Sequence, residues 1–222
     1  MTYDEVARSS SERGEIVLRR NGAVLELRVN GVFVMDTAET GSEIELARAA
    51  LDVVDRPESV LVGGLGLGFT AHEVLADARV QRLVVIEIED ALIGWLRDGT
   101  VPHGPEYLAD ERLTVKNADI RFAIEESPAD SFDLVLLDVD NGPGYLVYDE
   151  NAAVYEQPFL EATARVLRPG GAVVVWSAAE SEDLRKAMAA VFGTCEAIPV
   201  EVKLQTRDEH YWLYLSRSAV LP

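Results

Sequence analysis

The chain has little cysteine, little basic charge and no long apolar run. Its 222 residues include one cysteine, Cys195, which excludes an intrachain disulfide and a metal site built from several cysteines. Only 20 Lys and Arg residues stand against 39 Asp and Glu residues, for a net charge of −19. A surface of this charge repels phosphate backbones and anionic lipid, so we expect neither nucleic acid nor a membrane as a partner.

Other absences narrow the class of protein further. No apolar run approaches the roughly 20 residues that a membrane-spanning helix needs, and the polar N-terminal stretch lacks the apolar segment of a signal peptide. The three histidines are far apart in the sequence, so we expect no metal. These absences predict a soluble, cytoplasmic protein. The acidic balance is compatible with a small cationic substrate, although excess acid commonly serves solubility.

Two Asn-Gly pairs divide the first 40 residues into β-rich runs. Residues 1–13 show no periodicity and are predicted to be a mobile leader. Turns at Asn21-Gly22 and Asn30-Gly31 separate the next three runs, which predicts a three-stranded meander over residues 14–40 because Asn-Gly tolerates the positive φ angles of tight hairpins. The exposed edges of the meander leave two alternatives: it pairs with a second copy in a homodimer, or it covers the mouth of a site.

Residues 41–222 alternate short apolar strands with amphipathic helices. The first helix follows Gly41, with Ser42 as its expected N-cap, and seven strands follow, from SVLVGG to YWLYLSR. Apolar strands separated by helices predict a parallel sheet covered on both faces, and the last two strands have no helix between them. The expected fold class is α/β: a Rossmann-like, doubly wound, mostly parallel seven-stranded sheet with an antiparallel C-terminal hairpin, preceded by a small β-meander.

Ligands of open α/β sheets bind beyond the carboxyl ends of the strands, so the residues there are the candidates. The first strand runs into GGLGLG, residues 63–68, and four glycines in six residues exceed what a turn alone requires. Phe69 stands where a P-loop has its lysine and where the dinucleotide pattern has its last glycine. Gly64, Gly66 and Gly68 are therefore predicted to pass beside a nucleoside, with a tight turn that binds nothing as the alternative.

The next two strands also end in polar residues. Glu87 and Ile88 close the second strand, and Glu87 lies 19 residues after Gly68, where an acid can accept hydrogen bonds from ribose hydroxyls. Ala118 and Asp119 follow the third strand, where a carboxylate can accept a hydrogen bond from an adenine amino group and a neighbouring amide can reach a ring nitrogen. A solvated acid at position 87 and a helix N-cap at position 119 are the alternatives.

The fourth strand ends in two carboxylates within three residues, Asp138 and Asp140. Paired acids can bind an ammonium group, and an amine nucleophile can lose its proton to one of them, so both are candidate catalytic residues. The alternative is a loop organised by Asx turns at Asp140 or Asn141.

From Gly14 onward the chain resembles the spermidine synthase family, which is built on the class I S-adenosylmethionine-dependent methyltransferase fold. The stretches GGLGLG, IEIE and DVDNGPG stand where the family typically has G-G-G-D-G, V-E-I-D and D-S-S-D-P followed by G-P. The resemblance implies that Glu87 binds ribose, that Asp119 binds the adenine amino group and that Asp138 is the catalytic acid/base. It also implies a nucleoside-binding, methyltransferase-like domain over residues 41–222, with S-adenosylmethionine or its decarboxylated form as substrate and an amine as acceptor.

The chain departs from the family pattern in three places. Gly66 stands at the loop Asp that holds the amino end of the cofactor, the motif containing Asp140 is one residue shorter, and the stretch after the meander lacks the family's Tyr and His. Three functions therefore stay open: aminopropyl transfer to a polyamine, methyl transfer to an unknown small molecule, and non-catalytic nucleoside binding.

Overall fold

The structure is a computed structural model that describes residues 3–204 and 207–219. The ends of the predicted segments 1–13 and 41–222 therefore lie partly outside the described residues.

Four antiparallel strands form the N-terminal meander. They are β1 Asp4–Ser11, β2 Gly14–Asn21, β3 Val24–Val29 and β4 Val32–Asp36, paired in chain order. The turn between β3 and β4 has Asn30 and Gly31 at φ angles of 50° and 78°, the positive values that its Asn-Gly sequence tolerates.

The strand β1 corrects the prediction for the N-terminus. Its residues pair with β2 from Asp4 to Ser11, apart from a bulge at Val6. A mobile leader over residues 1–13 is therefore wrong for residues 4–11, and the meander has four strands instead of three. Most side chains of β1 are exposed or half-buried. Backbone pairing with β2 therefore holds this edge strand, which explains why no apolar pattern marks it in the sequence.

Seven strands form the second sheet. They are β5 Ser59–Gly63, β6 Arg82–Glu87, β7 Leu113–Asn117, β8 Phe132–Leu137, β9 Leu167–Ser177, β10 Glu196–Leu204 and β11 Arg207–Arg217. The order across the sheet is β10-β11-β9-β8-β5-β6-β7, with β5 to β9 parallel and β11 antiparallel to both of its neighbours. The predicted fold class is confirmed.

Helices cover both faces of this sheet. They are α1 Gly41–Asp52, α2 Phe69–Ala76, α3 Asp90–Arg97, α4 Gly104–Tyr107, α5 Ile120–Glu126, α6 Gln157–Val166 and α7 Glu182–Phe192, with a 3₁₀ helix at Asp149–Tyr155. In the part of the chain that the structure describes, no helix is long and apolar enough to cross a membrane.

The start of α1 differs from the prediction. Thr40 occupies the N-cap position, and Ser42 lies inside the first turn, where its hydroxyl donates to the carboxylate of Glu43 at 2.7 Å. The expectation that Ser42 caps the helix is therefore wrong. Ser42 and Glu43 are both buried, because this end of α1 lies against the sheet and the meander.

The meander shares a hydrophobic core with one face of the seven-stranded sheet. Leu18 of β2, Leu46 of α1 and Val60 of β5 belong to the same buried cluster, and none of them is exposed. Burying such a side chain contributes about 1.5–3 kcal/mol, so this packing holds the meander firmly against the sheet. A second cluster, with Leu61, Ile124 and Leu160, lies on the opposite face under α5, α6 and α7.

The strand order places a crevice beside β5. The chain leaves β5 for β6 on one side and returns to β8 on the other, so the carboxyl ends of these strands enclose a topological switch point. Open α/β sheets bind their ligands at such a point.

Candidate active site

A cavity lies at the switch point, under the meander. Its apolar wall comes from the meander and α3: Ile16, Leu27, Val29, Val34, Met35 and Leu92. Six carboxyl groups also line the cavity: Glu43, Glu87, Glu89, Asp119, Asp138 and Asp140. Arg13 is the only basic residue among the described residues that line it. The meander therefore covers the mouth of the site, as one of the two alternatives expected, and the acidic lining suits an organic cation.

The glycine loop passes along the floor of this cavity. Gly64 has a φ of 93°, and a Cβ there would lie 1.9 Å from the backbone oxygen of Asp138, so only glycine lets the ends of β5 and β8 meet. Gly64 and Gly66 line the cavity. Gly68 is not among the lining residues and stands at the N-cap position of α2, where a Cβ would approach Leu96 and Tyr107 at 3.3 Å.

The thioether of Met35, on β4, lies beside position 66 of the glycine loop. A Cβ at Gly66, whose φ is 51°, would lie 2.7 Å from the Met35 sulfur. The backbone N–H of Leu67 also donates to this sulfur at 3.2 Å. A thioether from the meander thus occupies the space beside the loop where the family pattern places an aspartate.

Glu87 ends β6 as a buried carboxylate with two backbone partners. One oxygen accepts the N–H of Leu65 at 2.9 Å, and the other accepts the N–H of Glu89 at 2.8 Å. Burial raises the pKa of Glu87, while these backbone hydrogen bonds act against the rise. Each carboxylate oxygen can accept a second hydrogen bond, so Glu87 holds the glycine loop and can also receive ribose hydroxyls. Ile88 lines the cavity beside it.

Asp119 lines the cavity and is also the N-cap of α5. Its carboxylate accepts the backbone N–H of Arg121 at 2.8 Å and forms an ion pair with the Arg121 side chain at 2.6 Å. Burial alone would raise the pKa of Asp119, but the hydrogen bonds and charge of Arg121 outweigh it and hold the pKa below its ordinary value. The neighbouring amide of Ala118 already donates to the carbonyl of Glu87 at 3.0 Å. The capping role expected as the alternative is therefore present.

Asp138 follows β8 and lies half-buried in the lining of the cavity. Its backbone N–H donates to Gly63 at 2.8 Å, which fixes the residue against the glycine loop. Its carboxyl group receives a hydrogen bond from the Thr70 hydroxyl at 3.3 Å. Burial raises the pKa of Asp138 to about 6, the charge of Glu87 adds to the rise and the Thr70 hydrogen bond opposes it. Asp138 is thus a stronger proton acceptor than an ordinary aspartate.

Asp140 lies in the same cavity, but its carboxylate is engaged by its own loop. One oxygen accepts the backbone N–H groups of Asn141 at 2.7 Å and Val147 at 2.8 Å. The other accepts the side-chain amide of Asn151 at 2.7 Å and the N–H of Tyr148 at 3.4 Å. These contacts tie residues 141–151 together, but none of them is the bond to the backbone two residues on that defines an Asx turn, so Asp140 organises the loop in another way than the Asx-turn alternative. A catalytic role for Asp140 stays a prediction.

Glu43 is a lining residue that the sequence did not single out. It is the third residue of α1 and is buried, with the Ser42 hydroxyl on its carboxylate. Burial raises the pKa of Glu43 to about 7, and the charge of Asp138 adds to the rise. Acids in the first turn of a helix are usually exposed partners of the helix dipole, so the residue type alone carried no signal.

Three residues contact one another at the entrance of the cavity. Arg13, in the turn between β1 and β2, places its Nε 3.3 Å from Glu89 and its guanidinium 4.1 Å from the centre of the Tyr148 ring. The Tyr148 hydroxyl donates to the same Glu89 oxygen at 3.2 Å. These contacts join the meander, the end of β6 and the loop after β8. Among the described residues, no group of three or more His, Cys, Asp or Glu side chains is placed to hold a metal ion.

A comparison with known families matches most of the chain. The family described as the spermine/spermidine synthase domain matches residues 42–202. The chain belongs to this family. The resemblance predicted from the sequence is thereby confirmed.

Curated relatives of this spermine/spermidine synthase family member include two kinds of transferase. Putrescine N-methyltransferase 2 of Nicotiana tabacum is 31% identical over 133 residues, which cover 59% of this chain and 35% of the relative. Polyamine aminopropyltransferase 2 of Pseudomonas aeruginosa is 31% identical over 157 residues, which cover 69% of this chain and 43% of the relative. The match thus spans about a third of the first relative and less than half of the second.

Solved spermidine synthases share the fold of this family member. The complex of spermidine synthase with the transition state analogue AdoDATO has a TM-score of 0.85 at 15% identity, and covers 98% of this chain and 75% of that one. Spermidine synthase from Thermotoga maritima has a TM-score of 0.80, also at 15% identity, and covers 98% of this chain and 74% of that one. At this coverage the shared fold includes the meander as well as the seven-stranded sheet.

Proposed function

We propose that the chain is a transferase that moves a carbon substituent from S-adenosylmethionine, or its decarboxylated form, to an amine, with aminopropyl transfer to a polyamine as the first candidate. The observation that carries the proposal is the half-buried carboxyl group of Asp138, set at the end of β8 in the cavity that the glycine loop and Glu87 also line. The named relatives, a polyamine aminopropyltransferase and putrescine N-methyltransferases, support an amine as the acceptor.

The nucleoside half of the cavity fits an adenosine. Gly64 and Gly66 present bare backbone, which lets a ligand approach closely, and Glu87 offers carboxylate oxygens at the strand end where ribose hydroxyls bind in related sheets. The six carboxyl groups of the lining favour a sulfonium, which carries a positive charge.

Asp138 supplies the proton acceptor for the transfer. The amine nitrogen attacks the carbon bound to the sulfonium, the new carbon–nitrogen bond forms as the carbon–sulfur bond breaks, and the sulfur keeps the electron pair as a neutral thioether. The nitrogen must then lose a proton, and Asp138 is the half-buried carboxylate at the end of β8 that can take it. The cavity walls contribute by holding nucleophile and carbon in line.

Methyl transfer is the second candidate, and the putrescine N-methyltransferases among the relatives support it. The thioether beside Gly66 replaces the acid that the family pattern uses to hold the amino end of the cofactor. The ammonium group of either donor therefore meets no carboxylate at position 66 of the loop.

The experiment is a product analysis with both donors. We would incubate the chain with S-adenosylmethionine or with decarboxylated S-adenosylmethionine, each with putrescine, spermidine or a related diamine, and identify the products by mass spectrometry. An aminopropylated amine with methylthioadenosine supports the first candidate, and a methylated amine with S-adenosylhomocysteine supports the second. Turnover with neither donor, together with measurable methylthioadenosine binding, would instead favour a non-catalytic nucleoside-binding protein.

A further inference from the structure

Asp140 is poorly placed to be the second acid of an amine site. Both of its carboxylate oxygens already accept hydrogen bonds from residues 141–151, so an amine would have to compete with the groups that hold the loop. Glu43 reaches the same cavity from α1, and Ser42 is its one side-chain hydrogen-bond partner among the described residues. Its carboxylate keeps free lone pairs for a ligand.

Trp176 independently marks this end of the cavity as a place for a ligand. The residue ends β9, lines the cavity and is 8% exposed. Its indole N–H is buried without a hydrogen-bond partner among the residues that the structure describes. Such donors are rare in folded proteins unless a bound molecule or water satisfies them. An indole ring beside carboxylates is also a favourable surface for an ammonium group and its methylenes.

We propose that Glu43 is the second carboxylate of the amine site, where it binds the acceptor amine together with Asp138. The assignment rests on the proposed function, because it takes an amine as the acceptor. Glu43 hydrogen-bonds an N–H of the amine and orients its nitrogen, while Asp138 receives the proton that this nitrogen loses when the new bond forms. Asp140 keeps the loop in place and does not bind the amine.

The electrostatic surroundings of Glu43 support its role as the carboxylate that binds the amine. The charged and titratable groups that face it are Asp138 at the end of β8, Glu39 before α1 and Tyr211 on β11. All of them are acids, and burial with the charge of Asp138 raises the pKa of Glu43 to about 7. An ammonium bound beside Glu43 stabilises its charged form and so lowers its pKa. Amine binding at pH 7 should therefore release protons from Glu43.

The test measures amine binding by calorimetry on the chain saturated with methylthioadenosine, with putrescine and spermidine as the probes. Glu43→Gln keeps the size of the side chain and removes its charge, so we expect amine affinity to fall about 10- to 100-fold. The proton release, measured in buffers of different ionisation enthalpy, should shrink in the same variant. Methylthioadenosine affinity should stay at its wild-type value, which also shows that the variant is folded.

Two further variants separate a binding role from a structural one. Glu45→Gln changes an exposed acid two residues along the same helix and should alter neither measurement. Ser42→Ala removes the hydroxyl that holds the Glu43 carboxylate and should weaken amine binding by a smaller factor.

The outcomes distinguish this proposal from the proposed function. Wild-type amine affinity in Glu43→Gln would overturn the role of Glu43 and leave the proposed function standing. Amine binding that depends on Glu43, without turnover from either donor, would support the site and overturn the transferase. A wild-type chain that binds none of the amines would overturn both.

Discussion

At the residue scale, Glu87 is a buried carboxylate that holds the glycine loop and is proposed to bind the ribose. Its backbone partners, the N–H groups of Leu65 and Glu89, lie on the glycine loop and beyond the end of β6. The charge that these two amides stabilise is also the charge that ribose hydroxyls would meet. Loss of the charge should therefore weaken nucleoside binding through both contacts.

We expect Glu87→Gln to lower the affinity for methylthioadenosine by about 1.5–3 kcal/mol, as for hydrogen bonds to a charged group. Calorimetry measures the change, and Glu111→Gln, an exposed acid, is the matched control. An affinity equal to that of the wild type would show that Glu87 does not bind the ribose.

We expect Asp138→Asn to slow turnover by about 10²–10⁴-fold, because the amide keeps the shape of the residue but cannot take a proton. Methylthioadenosine should still bind, since the variant keeps the backbone contact to Gly63. Steady-state rates with the active donor and amine measure the effect, with Asp52→Asn as an exposed control. Full activity in Asp138→Asn would place the proton acceptor elsewhere.

At the scale of elements, the loop after β8 depends on one side chain. Asp140 joins the loop backbone at residues 141, 147 and 148 and the side chain of Asn151. The loop in turn carries Tyr148, whose ring stacks with Arg13 of the meander. A change at Asp140 should therefore loosen the whole entrance of the cavity.

We expect Asp140→Ala to expose the loop to proteolysis, because four hydrogen-bond donors lose their acceptor together. Tyr145 is 65% exposed in this loop and offers a site for chymotrypsin. Cleavage after Tyr145 should be faster in Asp140→Ala than in the wild type and in Glu150→Gln, an exposed change in the same segment. Equal cleavage rates would show that Asp140 does not organise the loop.

At the scale of the whole molecule, two carboxyl groups of the site lower the free energy of unfolding when they are charged. Glu43 and Asp138 have pKa values raised to about 7 and about 6, from ordinary values of 4.5 and 3.8. In this range the folded chain binds more protons than the unfolded chain, so the contribution of these groups to the free energy of unfolding falls as pH rises. The loss is complete above their folded pKa values.

We expect Glu43→Gln to be more stable than the wild type at pH 8, by the order of 2–3 kcal/mol, and nearly equal to it at pH 4. The shift of Glu43, from 4.5 to about 7, sets the window between these two values. Urea unfolding at several pH values measures the difference, and Glu45→Gln should show none of it. A difference between Glu43→Gln and wild type that does not vary with pH would contradict a buried, titrating Glu43.

The sequence by itself determined the sheet, its helices and most of the residues proposed to bind the nucleoside. Apolar runs, helical stripes and glycine turns are local patterns, and the carboxyl ends of parallel strands meet at one edge of a sheet. Glu87, Asp119 and Asp138 could therefore be predicted to share a cavity from their places after β6, β7 and β8. The Asn30-Gly31 turn is local in the same sense.

Only the tertiary structure decided the other half of the site. Three features depend on contacts between segments far apart in the chain. They are the position of Met35 beside Gly66, the packing of the meander over the cavity and the burial of Glu43. The strand β1 is held by backbone hydrogen bonds, and backbone N–H groups are among the partners of Asp140. Nearly every residue type has the same backbone groups, so the sequence does not reveal these bonds. The pKa of a carboxyl group follows its distance from water and from other charges, and folding alone sets both.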